Sequence, residues 1–139
     1  MNITKEKRIM LYISIGIFLI SLTQRTYCTA NDCGYLGSGF ICLITGWLGV
    51  LAGGANLCWL ANPVLITAWI TSQRHPLFSI ILCGLSTLLS LSFLFFHKIL
   101  IDEAGNYAPI TGYKMGYWLW TLSSVSFFVG MLWTKFTGD

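Results

Sequence analysis

GSGFICLITGWLGVLAGGANLCWLANPVLITAWI, residues Gly37 to Ile70, carries no Asp, Glu, Lys or Arg. Only a bilayer or the inside of a large protein accepts so long an uncharged run. A chain of 139 residues is not a large protein. As one helix the run would extend about 50 Å at ~1.5 Å per residue, against a hydrocarbon core of ~30 Å. It must therefore break, tilt or lie partly in the interface. Gly49, Gly53, Gly54 and Asn56 offer one place to break, and Asn62-Pro63 a second.

The rest of the chain agrees with that reading. Charged residues make up 9% and hydrophobic residues 55%, where soluble domains carry about 25% charge. The net charge of +3 suits lysines and arginines that flank helices. There is no basic patch interleaved with aromatics, so a nucleic-acid surface is not expected. The length leaves room for a single transmembrane domain over residues 1–139.

Working outward, apolar runs place spans roughly at 9–24, 51–71, 77–97 and 116–134, with 36–50 as a short glycine-rich helix that tilts or re-enters. The predicted fold class is an all-α polytopic bundle of about four transmembrane helices. Five crossings follow instead if 36–52 and 56–72 are two minimal spans. The lysine and arginine count does not choose between them. Four crossings put Lys5, Lys7, Arg8, Arg74 and Lys135 on one side and Arg25, Lys98 and Lys114 on the other. Five crossings also split five to three. The tight, basic Arg74-His75 turn favours four, with the N-terminus cytoplasmic. Residues 9–30 also fit a secretory signal loosely, but Arg25 and Tyr27 before the small-residue end fit it badly. Residues 24–36 and 99–115 are expected to be polar loops. Tyr113, Tyr117, Trp118 and Trp120 at the start of the last span, and Trp133 at its end, are placed as an aromatic belt.

Several residues stand out. Cys28 and Cys33 share a polar loop and would form a disulfide in an oxidising compartment, or remain two thiols at the membrane surface. A loop that small gains little closure entropy. Cys42, Cys58 and Cys83 sit singly in apolar runs, as small hydrophobes do. Gly49 and Gly53 form a small-xxx-small pair suited to helix packing. Pro63 should kink its helix, with the Asn62 amide bonding to the freed carbonyl or to the serine and threonine face of residues 77–96. Asn56 and Asn62 would then flank a polar pocket or partner-docking notch.

Catalytic and metal patterns are missing. Asp102 and Glu103 are adjacent in a turn, His75 and His97 have no partner at ligand spacing, and the cysteines lack paired knuckles. No cofactor is expected, and the chain is read as non-enzymatic. A membrane thiol–disulfide oxidoreductase would need a second external cysteine pair, and residues 99–115 hold none. A proton-coupled transporter would need an ionisable group at membrane depth, and no span has one. Elimination leaves a non-catalytic accessory or immunity-type protein of the bacterial inner membrane. Its partners would be the lipid bilayer and another membrane protein or a second copy of itself. A small channel or transporter is the alternative.

Overall fold

The computed structural model describes residues 3–30, 33, 38–102 and 104–138. Among them the chain is mostly helical, with one small sheet. Helix α1 is Ile3–Leu22, α2 Gly39–Val50, α3 Ala61–Thr71, α4 Pro76–Ser92 and α5 Met115–Gly138. A 3-10 helix, Gly54–Leu60, leads directly into α3, and a short one, Phe93–Phe95, extends α4.

Helices α1, α3, α4 and α5 form a closed ring. In α1, Ser14 Oγ donates to the Ser123 carbonyl of α5 at 2.9 Å, and Met10 lies over Gly130. These contacts run the two helices antiparallel. Helix α5 meets α4 through Ser86 and Ser124, 3.0 Å apart, and through the Tyr117 hydroxyl, which donates to the Ser90 carbonyl at 2.8 Å. Helix α4 meets α3 through Ser79 Oγ to the Ala68 carbonyl, 2.7 Å, and Ser86 Oγ to the Ala61 carbonyl, 2.9 Å. Trp69 of α3 closes the ring, donating from Nε1 to Ser14 Oγ at 3.0 Å while Phe18 packs edge-on against it. Lys7, Pro76, Thr134 and Lys135 therefore share one end, the termini end.

The bundle interior mixes small polar side chains with an apolar core of Phe18, Leu65, Phe127 and Met131. Ser14, Ser79, Ser86, Ser90, Ser123 and Ser124 are fully buried. Leu77, Phe78, Ile81, Leu85 and Leu88 of α4, and Trp118, Leu122, Val129 and Trp133 of α5, are exposed. Small side chains let the helix backbones approach, and each of these hydroxyls reaches a backbone or hydroxyl oxygen.

Two helical segments, Pro76–Phe95 and Met115–Gly138, are long and apolar enough to cross a membrane. Gly39–Val50 with Gly54–Thr71, bent by 117°, would make a third as a broken pair. Helix α1 starts earlier than its apolar run predicts. Lys5, Glu6, Lys7 and Arg8 form its first turns, so its uncharged part is short.

The break falls at Gly53 and Gly54, whose φ values of 71° and 61° favour glycine. Gly53 has no neighbour within 4 Å of where a Cβ would stand, so it turns the chain and packs against nothing. The packing glycines are Gly46, under Trp59, and Gly49, under Asn56. The Gly49/Gly53 pair is thus corrected: one packs, the other bends. Pro63 is also reassigned. It is the third residue of α3, in the turn where a missing N–H costs little, so it opens that helix and does not kink its middle.

The expected loops carry strands. β1 (Tyr27–Thr29), β2 (Lys98–Leu100) and β3 (Tyr107–Tyr113) form an antiparallel sheet in the order β1-β3-β2. Tyr27 pairs with Tyr113 and Ile99 with Ala108, and the register shifts between Cys28 and Thr29. Pro109 in the central strand has no N–H to give, and its carbonyl accepts from Ala30 N at 3.2 Å. Ile99 and Ala108 face inward, so the sheet caps the bundle opposite the termini.

Candidate functional site

At the sheet end the bundle opens into a cavity of about 790 Å³, within the range of small-molecule sites. Helix α2 makes it. Gly39 rests on the backbone of residues 21–24, the Leu43 carbonyl accepts from Trp59 Nε1 at 3.0 Å, and Gly49 lies on Asn56. Helix α2 therefore runs beside the 3-10 helix, near the sheet, and does not descend the bundle. Between it, β1, the β2–β3 turn and the start of α5 lies the cavity.

Its wall runs from exposed Asp102, Gly105 and Tyr107 inward to buried Asn56 and Asn62. Most of the wall is apolar, with Leu22, Leu43, Leu48, Phe93 and Ile99 among its residues. The two asparagines differ. Asn62 Oδ1 accepts from Trp120 Nε1 of α5 at 2.8 Å, a partner that neither the freed carbonyl nor the α4 face had suggested. Asn56 is 9% exposed, and its Nδ2 has no hydrogen-bond partner among the described residues. A buried amide donor left unmet costs about 1–3 kcal/mol. The structure thus places Asn56 and Asn62 in the wall of one cavity and leaves Pro63 out of it.

Asp102 supplies the charge at the rim. The Asn106 side chain donates to it at 2.7 Å and the Asn106 backbone at 3.1 Å, and these bonds hold its carboxyl below the usual carboxylate range. It is ionised at neutral pH. Glu103 lies outside the described residues.

Aromatic residues assigned to a belt serve the site instead. Tyr117 is buried, bonded to Ser90, and stacks in a cluster with Phe93, Tyr113 and Trp120. Trp118 and Trp133 do face outward. Trp59, Trp120, Tyr27 and Asp102 were not legible as wall residues, because nothing in local sequence says which way an indole or a short strand turns.

Cys28 and Cys33 are joined by a disulfide. It anchors the end of β1, whose Tyr27 and Thr29 line the cavity. Cys42, Cys58 and Cys83 take no part in the disulfide. Alkylation of the denatured chain should therefore add three groups before reduction and five after it. Cys28→Ser should lower stability by about 2 kcal/mol in the chain-entropy account of so short a loop. Five alkylations without reductant would refute the bond.

Among the described residues, no group of three His, Cys, Asp or Glu side chains is placed to hold a metal. Compared with known protein families, characterised proteins and solved structures, the chain matches none.

Proposed function

We propose that this chain is a multi-pass protein of the bacterial inner membrane that works by contact and not by catalysis. Four segments cross: α1, Gly54–Thr71, α4 and α5. Helix α2 lies at the outer interface. Both termini and the Arg74-His75 turn face the cytoplasm, with Arg25, Lys98 and Lys114 on the opposite side. In this role it is an accessory or immunity-type protein, docking on another membrane protein through its helix faces.

The observation that carries this reading is the apolar exterior over an interior that holds buried serines. Buried serines hold the helices together while leucines, isoleucines and phenylalanines face out. In water that arrangement forfeits the hydrophobic effect, whereas in lipid it costs nothing. The antiparallel ring supports four crossings, because Lys7 and Lys135 share one end with Pro76.

Two measurements test it. A reporter active only in the cytoplasm, fused to the C-terminus, should be active; activity only in the periplasm would overturn the four-crossing topology. Purification in mild detergent should retain one membrane partner at equal stoichiometry. Ile81→Asn, on the exposed face of α4, should release it. Solute flux in liposomes containing only this chain would favour the channel or transporter reading, for which the cavity between Asn56 and Asn62 is the supporting feature.

A further inference from the structure

We propose that the cavity at the sheet end binds one neutral amphiphile, a hydrocarbon chain bearing a carbonyl acceptor, and that Asn56 Nδ2 donates to that carbonyl. Docking through helix faces makes no use of this site. The proposal rests on the membrane reading only for the source of the ligand.

Three features define the ligand. The first is the unmet donor. Asn56 is more than nine-tenths buried, Gly49 packs against its Oδ1, and its Nδ2 has no partner among the described residues. Buried amides in native folds are nearly always bonded. Asn62, on the same wall, already bonds to Trp120, so Asn56 is the group that calls for an acceptor.

The second feature is charge. Among the described wall residues Asp102 is the one ionised side chain, and no lysine or arginine stands with it. A phosphate or carboxylate head would face a carboxylate inside a described wall that holds no lysine or arginine; Lys98, at the rim, lies over the Tyr107 ring. A neutral carbonyl is not repelled and accepts one hydrogen bond from an amide.

The third feature is shape and access. Leu43 and Ile99 line the interior, while Leu48 and Leu51 line the same cavity and are exposed on the flank of the bundle. Leu51 is 92% exposed. The apolar wall therefore continues onto the apolar outside, so a hydrocarbon chain can enter from the side without crossing water. Two kinds of membrane molecule carry this chemistry: the acyl ester of a glycerolipid and the ring carbonyl of an isoprenoid quinone.

The full-length chain, purified in dodecyl maltoside, would be offered dioleoylglycerol, decylubiquinone and hexadecane separately. Bound mass would be read by native mass spectrometry. One equivalent of at least one carbonyl compound should be retained, and hexadecane should not. Dioleoylglycerol alone would identify an ester site, decylubiquinone alone a quinone site, and both a carbonyl site of broad specificity; all three support the proposal. Asn56→Leu, close in size, should lower retention at least tenfold. Retention of neither carbonyl compound above hexadecane would overturn the proposal, as would equal retention by Asn56→Leu. Should that variant not fold, the thermal midpoint of the wild-type chain decides. A rise with a carbonyl compound and none with hexadecane supports the site, and equal or absent shifts overturn it. Binding in detergent is read without a partner protein, so its failure is separate from failure of the docking role.

Discussion

Gly116→Ala is expected to cost about 3 kcal/mol, the upper part of the range for overpacking. The Gly116 N–H donates to the Arg25 carbonyl at 2.8 Å. A Cβ there would stand 2.6 Å from that same oxygen and 2.9 Å from the Gln24 carbonyl oxygen. Both obstacles are backbone and cannot swing away. Gly39 grips the same segment from the other side. Its N–H donates to the Gln24 carbonyl at 2.9 Å, and a Cβ would meet the Ser21 oxygen at 2.5 Å and Leu22 Cα at 2.9 Å. The end of α1, the start of α2 and the start of α5 thus converge on two carbonyls. Gly39→Ala should be comparably harmful, and the double variant should cost less than the sum, because both press on one segment. Gly16→Ala is the control. Nothing lies within 4 Å of its Cβ position, so stability should hold or rise. The midpoint of unfolding in a titration with sodium dodecyl sulfate reads all four. A Gly116→Ala midpoint equal to that of the wild type would show that α1 and α5 do not meet at this point.

The second large effect is a contrast at one position. Ser86 is fully buried where α3, α4 and α5 meet, bonded to the Ala61 carbonyl and beside Ser124 Oγ. Hydrogen bonds between membrane helices contribute on average only about 0.6 kcal/mol. Ser86→Ala should therefore lose about that much. Ser86→Leu inserts a branched side chain where Ala61 and Ser124 leave no space, and about 3 kcal/mol is expected. The two variants separate two roles for the buried serines. If size matters most, alanine is tolerated and leucine is not. Should alanine prove as damaging as leucine in the same titration, the hydroxyl network and not close approach holds the bundle together.

Much of the helical layout was legible because its signals are local. Residues 77–97 and 116–134 stand out as uncharged runs, and helices Pro76–Ser92 and Met115–Gly138 occupy them. The first run begins late because charge was read as an end of structure. A helix tolerates Lys5, Glu6, Lys7 and Arg8 in its opening turns, so α1 extends to Ile3. Gly53-Gly54 marked a break on conformational grounds, and the break is there. The same reasoning misjudged Pro63. Proline signals a disturbance without saying whether it lies inside a helix or at its start, and the 3-10 segment before it decided the matter.

Local sequence was enough to read the mostly helical, apolar build of the chain. An uncharged run from Gly37 to Ile70 in a chain with 9% charged residues marks helices apolar enough to cross a membrane, and this follows from transfer free energies that act residue by residue. What the polar residues do depends on contacts between distant parts of the chain. Tyr27 finds Tyr113 and Cys28 finds Gly112, far apart in the chain, through strands too short to carry an alternating pattern. Asn62 bonds to Trp120 because of how α3 and α5 are rotated about their axes, and Asn56 Nδ2, in the 3-10 segment before α3, has no partner among the described residues. In water the apolar stripe of a helix tells which face turns inward. Here apolar side chains face outward as well as inward, so no apolar stripe chooses between faces. Rotation is then set by close packing of small residues such as Gly116, Gly130 and Ser86, and that complementarity exists only once the helices have met.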